Sequence, residues 1–231
     1  PRFPVPLLDR ETLSDLFFLL RLDCPEIFYV TGFSYRYAPG AENAELLPEY
    51  LFDKGKIRQH QQALSARVEK LVRPLRQRTP LEQERAIHDF ICENVRYDKL
   101  KKPYSHEIIG PLGQGVGVCE GIAKSVKILC DALGLWCIIA VSENNPAQGV
   151  KYRHAWNIVR LDGQYYHLDA TFDATLSQPG IVRHDYFNLD DRALFRDHQP
   201  PLYPLPACTD GTRAFYRAEK RSFTKIEDVC K

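Results

Sequence analysis

The stretch that decides the fold is Arg153-His154-Ala155-Trp156-Asn157-Ile158-Val159-Arg160-Leu161-Asp162-Gly163-Gln164-Tyr165-Tyr166-His167-Leu168-Asp169-Ala170-Thr171. Asp162-Gly163 between two runs rich in aromatic and β-branched residues signals a two-residue hairpin turn. With Leu161 facing Gln164, the ladder sets His154 opposite Thr171 and Trp156 opposite Asp169. His154 and Asp169 then share one sheet face as diagonal neighbours, with Cβ atoms about 7–8 Å apart. An imidazole can donate to a carboxylate across that gap. Ala155, Val159, Leu168 and Ala170 fall on the other face and are expected in the core. A histidine and an aspartate on a solvated face would give the same pattern. His167 shares the face with His154, but it lies opposite Ile158, nearer the turn and farther from any site framed by a helix end.

Upstream of this hairpin, one cysteine stands apart from the other six. Cys119 follows a run holding Gly110, Gly113, Gly115 and Gly117 and begins an apolar helix predicted over 119–133, with Gly134 placed as its C-terminal cap. A thiol at a helix N-terminus meets unpaired N–H groups and the positive end of the helix dipole, which favour its nucleophilic form. The glycines, Gly117 among them, would let a substrate backbone approach closely. Cys24, Cys92, Cys130, Cys137, Cys208 and Cys230 read as packing thiols. The glycine run is not a phosphate loop, since no Gly-Lys-Ser/Thr follows it. No HExxH, no ligand pair at zinc-finger spacing and no EF-hand loop occurs, so no metal and no cofactor is expected.

The rest of the chain divides into an N-terminal extension over 1–79 and a core over 80–231 that ends in an irregular tail. The extension is predicted to hold an extended proline-rich start, a helix over 9–22, a strand over 27–37, a second short strand near 46–52 and an amphipathic helix over 56–77. Thr79-Pro80 reads as an N-cap followed by proline at the first helical position. Residues 96–118 read as loop, and 135–142, 151–161 and 164–171 as strands. Helices come first and strands later, which indicates an α+β fold.

Composition narrows the function class. The 231 residues carry 31 basic and 30 acidic side chains, a formal charge of +1, so no nucleic-acid partner is suggested. No apolar run is long enough for a membrane span. Seven cysteines without a pairing pattern do not read as a disulfide framework. Free thiols point to a reducing compartment, the cytoplasm, although a signal peptide could precede the sequence. Methionine is absent, and the opening Pro1-Arg2-Phe3-Pro4 reads as a processed fragment. Nothing in the composition sets an oligomeric state.

A cysteine at a helix start, then histidine and aspartate on successive strands, resembles the transglutaminase-like cysteine enzymes. Gly117-Val118-Cys119-Glu120-Gly121 looks like the nucleophile segment, His154-Ala155-Trp156-Asn157 like the histidine strand, and Tyr166-His167-Leu168-Asp169-Ala170-Thr171-Phe172-Asp173 like the aspartate strand. The likeness extends to Ile87-His88-Asp89-Phe90 and Asn94-Val95-Arg96-Tyr97-Asp98, similar to bacterial members, and to Tyr186-Phe187-Asn188-Leu189 and Asp197-His198. It covers about residues 80–200. Phe172 departs from it, because many relatives have tryptophan or proline there. The resemblance implies a papain-like core with Cys119 as nucleophile, His154 as base and then acid, and Asp169 orienting the imidazole. It implies an oxyanion hole with the Cys119 N–H as first donor and Gln114 as a candidate second. Trp156 and Gly117 become candidates for contact with a protein or peptide substrate, Trp156 alternatively shielding the ion pair or packing. The reaction implied is peptidase or amidase chemistry through a thioester. Protein cross-linking and a non-catalytic peptide-binding scaffold are the alternatives.

Overall fold

A computed structural model describes residues 2–221 of the chain; Cys230 lies outside them. Side-chain caps set where the helices begin. Asp9 accepts from Thr12 N and Asp53 from Lys56 N, each at 2.9 Å, opening α1 (Arg10–Asp23) and α2 (Lys54–Val72). Thr79 and Glu82 form a reciprocal capping box ahead of α3 (Pro80–Asn94), with Pro80 in its first turn as the sequence indicates. The fourth helix, α4 (Cys119–Leu133), stops where Gly134 takes a left-handed φ of 76°.

Strands β1 (Phe3–Pro6), β2 (Val30–Arg36) and β3 (Asn43–Tyr50) form an antiparallel sheet in the order β1-β3-β2. The proline-rich start is therefore an edge strand, a place where missing N–H donors do no harm. A two-residue parallel pair, β4 (Arg96–Tyr97) and β5 (Val116–Gly117), leads into α4. The second sheet runs β6 (Cys137–Ser142), β7 (His154–Leu161), β8 (Gln164–Leu168) and β9 (Phe187–Leu189), each antiparallel to its neighbour. Short helices α5 (Ala170–Leu176), α6 (Asp191–Leu194) and α7 (Phe215–Ala218) complete the described residues. With α4 laid on β6 and β7, this is an α+β, papain-like core. Leu64, Val68 and Val72 of α2 join Ile87, Ile91 and Val126 in one apolar core, so packing runs across residue 79.

The hairpin has the expected turn and register as far as Asn157↔Leu168. Asp162 and Gly163 both take positive φ, 48° and 82°, as a type I′ turn requires. The strand predicted through Thr171 ends early. Asp169 turns the chain instead, its Oδ1 accepting from Thr171 N at 2.9 Å and Phe172 N at 3.0 Å as the cap of α5. Along 155–159 neither face of the hairpin meets solvent, because Ala155, Val159 and Leu168 are buried on one side and Trp156 and Ile158 on the other; exposure begins at Arg160, beside the turn.

Residues 96–118 are also more ordered than the loop predicted there. They hold a 3₁₀ turn at Pro103–His106 and a π-helical turn at Ile109–Gln114, with Ile108, Ile109, Gly110, Pro111 and Leu112 buried. The glycines serve close packing. A Cβ on Gly110 would stand 2.7 Å from the Tyr104 and Val116 carbonyl oxygens.

One buried contact makes stability depend on pH. Glu84 is fully buried, and its Oε2 accepts from Asn188 Nδ2 at 3.0 Å. Glu84 Oε1 and Asn188 Oδ1 are both left without a donor. A proton on Glu84 supplies the donor that this contact lacks. Burial, outweighing Asn188, His88 and Arg213, pushes the Glu84 carboxyl up from 4.5 to about 7. Its stabilising contribution is therefore full below the unfolded pKa and disappears as pH rises through about 7. The loss is on the order of 3 kcal/mol. Urea unfolding of wild type and Glu84→Gln at pH 4.5 and pH 8 will show wild type losing that much relative to the variant; parallel behaviour would mean that Glu84 is ionised throughout.

Candidate active site

Cys119 owes its position to the segment before it. Val118 N donates to Ser105 O at 3.0 Å, and Gly121 lies so close to Ser105 that a Cβ would fall 2.2 Å from that carbonyl oxygen. Only glycine fits there, and the contact presses the first turn of α4 onto the 3₁₀ turn. Cys119 is the first residue of α4, where N–H groups have no acceptor within the helix. It opens onto a cleft of about 490 Å³ that Phe18, Tyr97, Lys101, Tyr152 and His154 also line.

His154 begins β7 beyond the end of β8, so it pairs with Ser142 of β6 alone. Asn157, three residues further on and on the opposite face, donates to Ala123 O of α4 at 3.0 Å and ties this strand to the cysteine's helix. His154 and Asp169 do meet, although not as diagonal strand neighbours. The imidazole Nε2 lies 2.5 Å from Asp169 Oδ2, reached from the cap of α5. With Nε2 so committed, Nδ1 is the ring nitrogen left for the Cys119 thiol, which lines the same cleft. Trp156 stacks under the imidazole at 5.9 Å and Phe172 packs on it at 4.8 Å, so the departure at Phe172 keeps an aromatic wall.

Electrostatics match this geometry. Burial opposes protonation of His154, but the Asp169 charge and hydrogen bond, with the Cys119 sulfur, outweigh it and push the imidazole up to about 10. Burial likewise opposes ionisation of Asp169, yet the two histidines beside it hold its carboxyl well below the usual range. The second of these is His198, whose Nε2 lies 2.9 Å from Asp169 Oδ2 while its Nδ1 bonds Asp197 at 2.7 Å. Tyr186 donates to that same Asp197 at 2.5 Å.

Other residues marked from the sequence lie elsewhere. Gln114 is exposed and lines a separate cavity with His60, Arg67 and Phe90. Gly117 faces inward, where a Cβ would meet the Pro111 ring at 2.6 Å. Trp156 is 1% exposed and its indole N–H donates to His167 Nδ1 at 3.0 Å, so it packs and does not reach the cleft. His167 in turn bonds Asp191 at 2.8 Å, with burial lowering its pKa, and is a neutral structural residue. Two residues had shown only as parts of a likeness, with no role: His198, and Tyr97, which lines the cleft. Burial first, and the charges of Cys119 and Asp98 next, push the Tyr97 phenol up to about 12, so it stays a donor.

A second thiol lies near a histidine. Cys92 Sγ is 3.6 Å from His88 Nε2, which also bonds Asp173 at 3.0 Å. This set differs from the first in two ways. His88 is fully buried with both ring nitrogens engaged by carboxylates, and Cys92 sits in the last turn of α3, far from free N–H donors. Among the described residues, three clusters bring potential metal ligands within 4.8 Å of one another: His88–Asp89–His184, His154–Asp169–His198 and His167–Asp191–Cys208. In each, the carboxylate already holds an imidazole by a hydrogen bond.

Residues 68–170, which include Cys119, His154 and Asp169, match the family model described as the transglutaminase-like superfamily. Over those residues the chain is similar to that superfamily. The chain is 26% identical over 169 residues to kyphoscoliosis peptidase of Mus musculus, covering 65% of this chain and 26% of that protein. It is 29% identical over 109 residues to cytokinesis protein 3 of Schizosaccharomyces pombe, covering 42% and 12%. It thus spans about a quarter or less of these relatives. A solved TGase structure superposes with a TM-score of 0.42 at 14% identity, covering 74% of this chain and 50% of that one. No helix among the described residues is long and apolar enough to cross a membrane.

Asp169→Asn keeps a side-chain oxygen for the α5 cap and removes the charge beside His154. NMR titration of the His154 ring will then show its midpoint falling well below about 10, because only the Cys119 sulfur is left to oppose burial. An unchanged midpoint would mean that Asp169 does not set the imidazole's charge.

Proposed function

We propose that this domain is a thiol-dependent acyl-transfer enzyme, acting as a peptidase or amidase through a thioester on Cys119. The observation that carries the reading is the His154 imidazole held by Asp169 in the same cleft onto which Cys119 opens from a helix N-terminus. His154, an imidazolium at neutral pH, holds the thiol's proton on Nδ1. The sulfur attacks the carbonyl carbon of a peptide or glutamine carboxamide. As the C–N bond breaks, His154 returns the proton to the leaving amine or ammonia. Water then attacks the thioester with His154 again as base, releasing the acid and the thiol. Asp169 keeps its negative charge throughout and stabilises the imidazolium.

The tetrahedral oxyanion needs donors placed before the reaction begins. The Cys119 N–H is one, and the Tyr97 hydroxyl, which shares the cleft, replaces Gln114 as the side-chain candidate. Phe18 makes α1 one wall of this cleft, which gives the N-terminal extension a part in substrate access. The acyl donor on this reading is a polypeptide.

Iodoacetamide at neutral pH should alkylate Cys119 at least about tenfold faster than Cys92 or Cys208, and His154→Ala should abolish that preference; mass mapping of the modified peptides reads both. Equal reactivity would remove the basis for an activated thiol. Incubation with glutamine peptides, with and without an amine donor, distinguishes the reactions. Ammonia release or cleavage alone supports hydrolysis, amine incorporation transfers the reading to cross-linking, and neither product leaves a binding scaffold. Tyr97→Phe should lower kcat about 10²-fold with little change in KM if its hydroxyl serves the oxyanion.

A further inference from the structure

Two loops, residues 97–106 and 150–154, frame the mouth of the Cys119 cleft. They carry Lys99, Lys101, Lys102, Lys151 and Arg153, all exposed. Arg153 is paired with Glu143, and Asp15 of α1 adds to that neutralisation. No described carboxylate pairs with any of the four lysines; Lys101 and Lys102 lie over the Tyr152 and Tyr104 rings instead. Nearby acids are engaged inward. Asp98 accepts from Leu100 N, Lys102 N and the Ser105 hydroxyl. Glu107 is buried against Lys124 and Arg21, and Glu120 is bonded to Lys124 and His106. In a chain with 31 basic and 30 acidic residues, the cleft mouth is a local excess of free cations.

The same loops are apolar at their tips. Leu100 and Tyr152 are 76% and 65% exposed, the two highest values among the described large hydrophobic residues. Lys101 holds a φ of 49°, a strained conformation for a lysine, and its ammonium stands 3.2 Å from the Tyr152 ring centroid. With Asp98 fixing the turn, that contact links one loop to the other across the mouth. An ammonium on an exposed ring is a weak attachment, about 0.5–1 kcal/mol, and it is readily exchanged for a carboxylate.

Resting on the proposed acyl-transfer chemistry, we propose that the acyl donor is a polypeptide segment bearing acidic residues beside an apolar or aromatic one. Its carboxylates meet Lys101 and the neighbouring lysines, and its apolar side chain takes the freed face of Tyr152 and Leu100. Lys101 is then a specificity-determining residue. Exposed ion pairs are worth up to about 1 kcal/mol each, so two acids give about a tenfold preference.

The test compares two glutamine peptides of equal length with one leucine each, flanked in one by two glutamates and in the other by two lysines. Wild type should turn over the acidic peptide with about tenfold higher kcat/KM, the preference should shrink between 50 and 500 mM salt, and Lys101→Glu should reduce it at least threefold. Equal kcat/KM for the two peptides, or an unaltered preference in Lys101→Glu, would overturn the inference. If neither peptide reacts, the acyl-transfer reading fails, and fluorescence anisotropy with Cys119→Ala decides this one separately. Tighter binding of the acidic peptide sustains it, and equal or no binding overturns it.

Discussion

The buried carboxylate of Asp169 is the constraint on which the rest of the structure depends. Removing a carboxylate from water costs several kcal/mol unless its oxygens are satisfied. Here Oδ1 takes the N–H groups of Thr171 and Phe172, and Oδ2 takes His154 and His198. The backbone N–H of Asp169 also donates to Tyr186 O at 3.0 Å. The carboxylate's own partners come from β7, from α5 and from the chain beyond α6, so one charge holds three separate segments in a single arrangement. Removing either histidine leaves an under-compensated charge, a change that typically costs 3–5 kcal/mol.

A second constraint follows from burying the start of α4. A cysteine at the N-terminus of a helix can face a substrate only if the helix points into the fold, and α4 is accordingly buried over nearly its whole first three turns. The cost appears in its lysines. Lys124, with no exposed surface, is held by Glu107 and Glu120 at 3.0 and 2.7 Å, and Lys127 donates to the Cys137 carbonyl at 3.1 Å and pairs with Asp131. The same network draws Glu120, the neighbour of Cys119, down to about 2: burial resists this, and His106 and Lys124 overcome it. The carboxylate beside the thiol is thereby tied to its own partners.

Local chemistry made part of this legible in the sequence. Asp162-Gly163 can serve a type I′ turn, and that single fact sets the register which brings His154 near Asp169. Thr79-Pro80 and Gly134 mark helix ends for equally local reasons. What failed to read depended on packing. Ala170-Thr171-Phe172 suits a strand as well as a helix, and only the Asp169 cap decides between them. Glycines at 110 and 117 suggested room for a substrate, whereas neighbouring atoms occupy the space where their Cβ would stand. Trp156 and Gln114 were sorted by which cavity each side chain reaches. His198 lies 29 residues beyond Asp169 in an irregular segment, and no periodicity indicates that it returns to the same carboxylate.

On the proposed chemistry, the Asp169-held imidazole makes Cys119, alone among the described thiols, the acyl acceptor. Acid-quenched mass spectrometry of the protein mixed with a glutamine peptide measures that directly. The account predicts a labile adduct on Cys119, with the mass of the peptide less ammonia, that Asp169→Asn suppresses at least about tenfold. An adduct on Cys92, or one on Cys119 that forms equally well without the Asp169 charge, would contradict it.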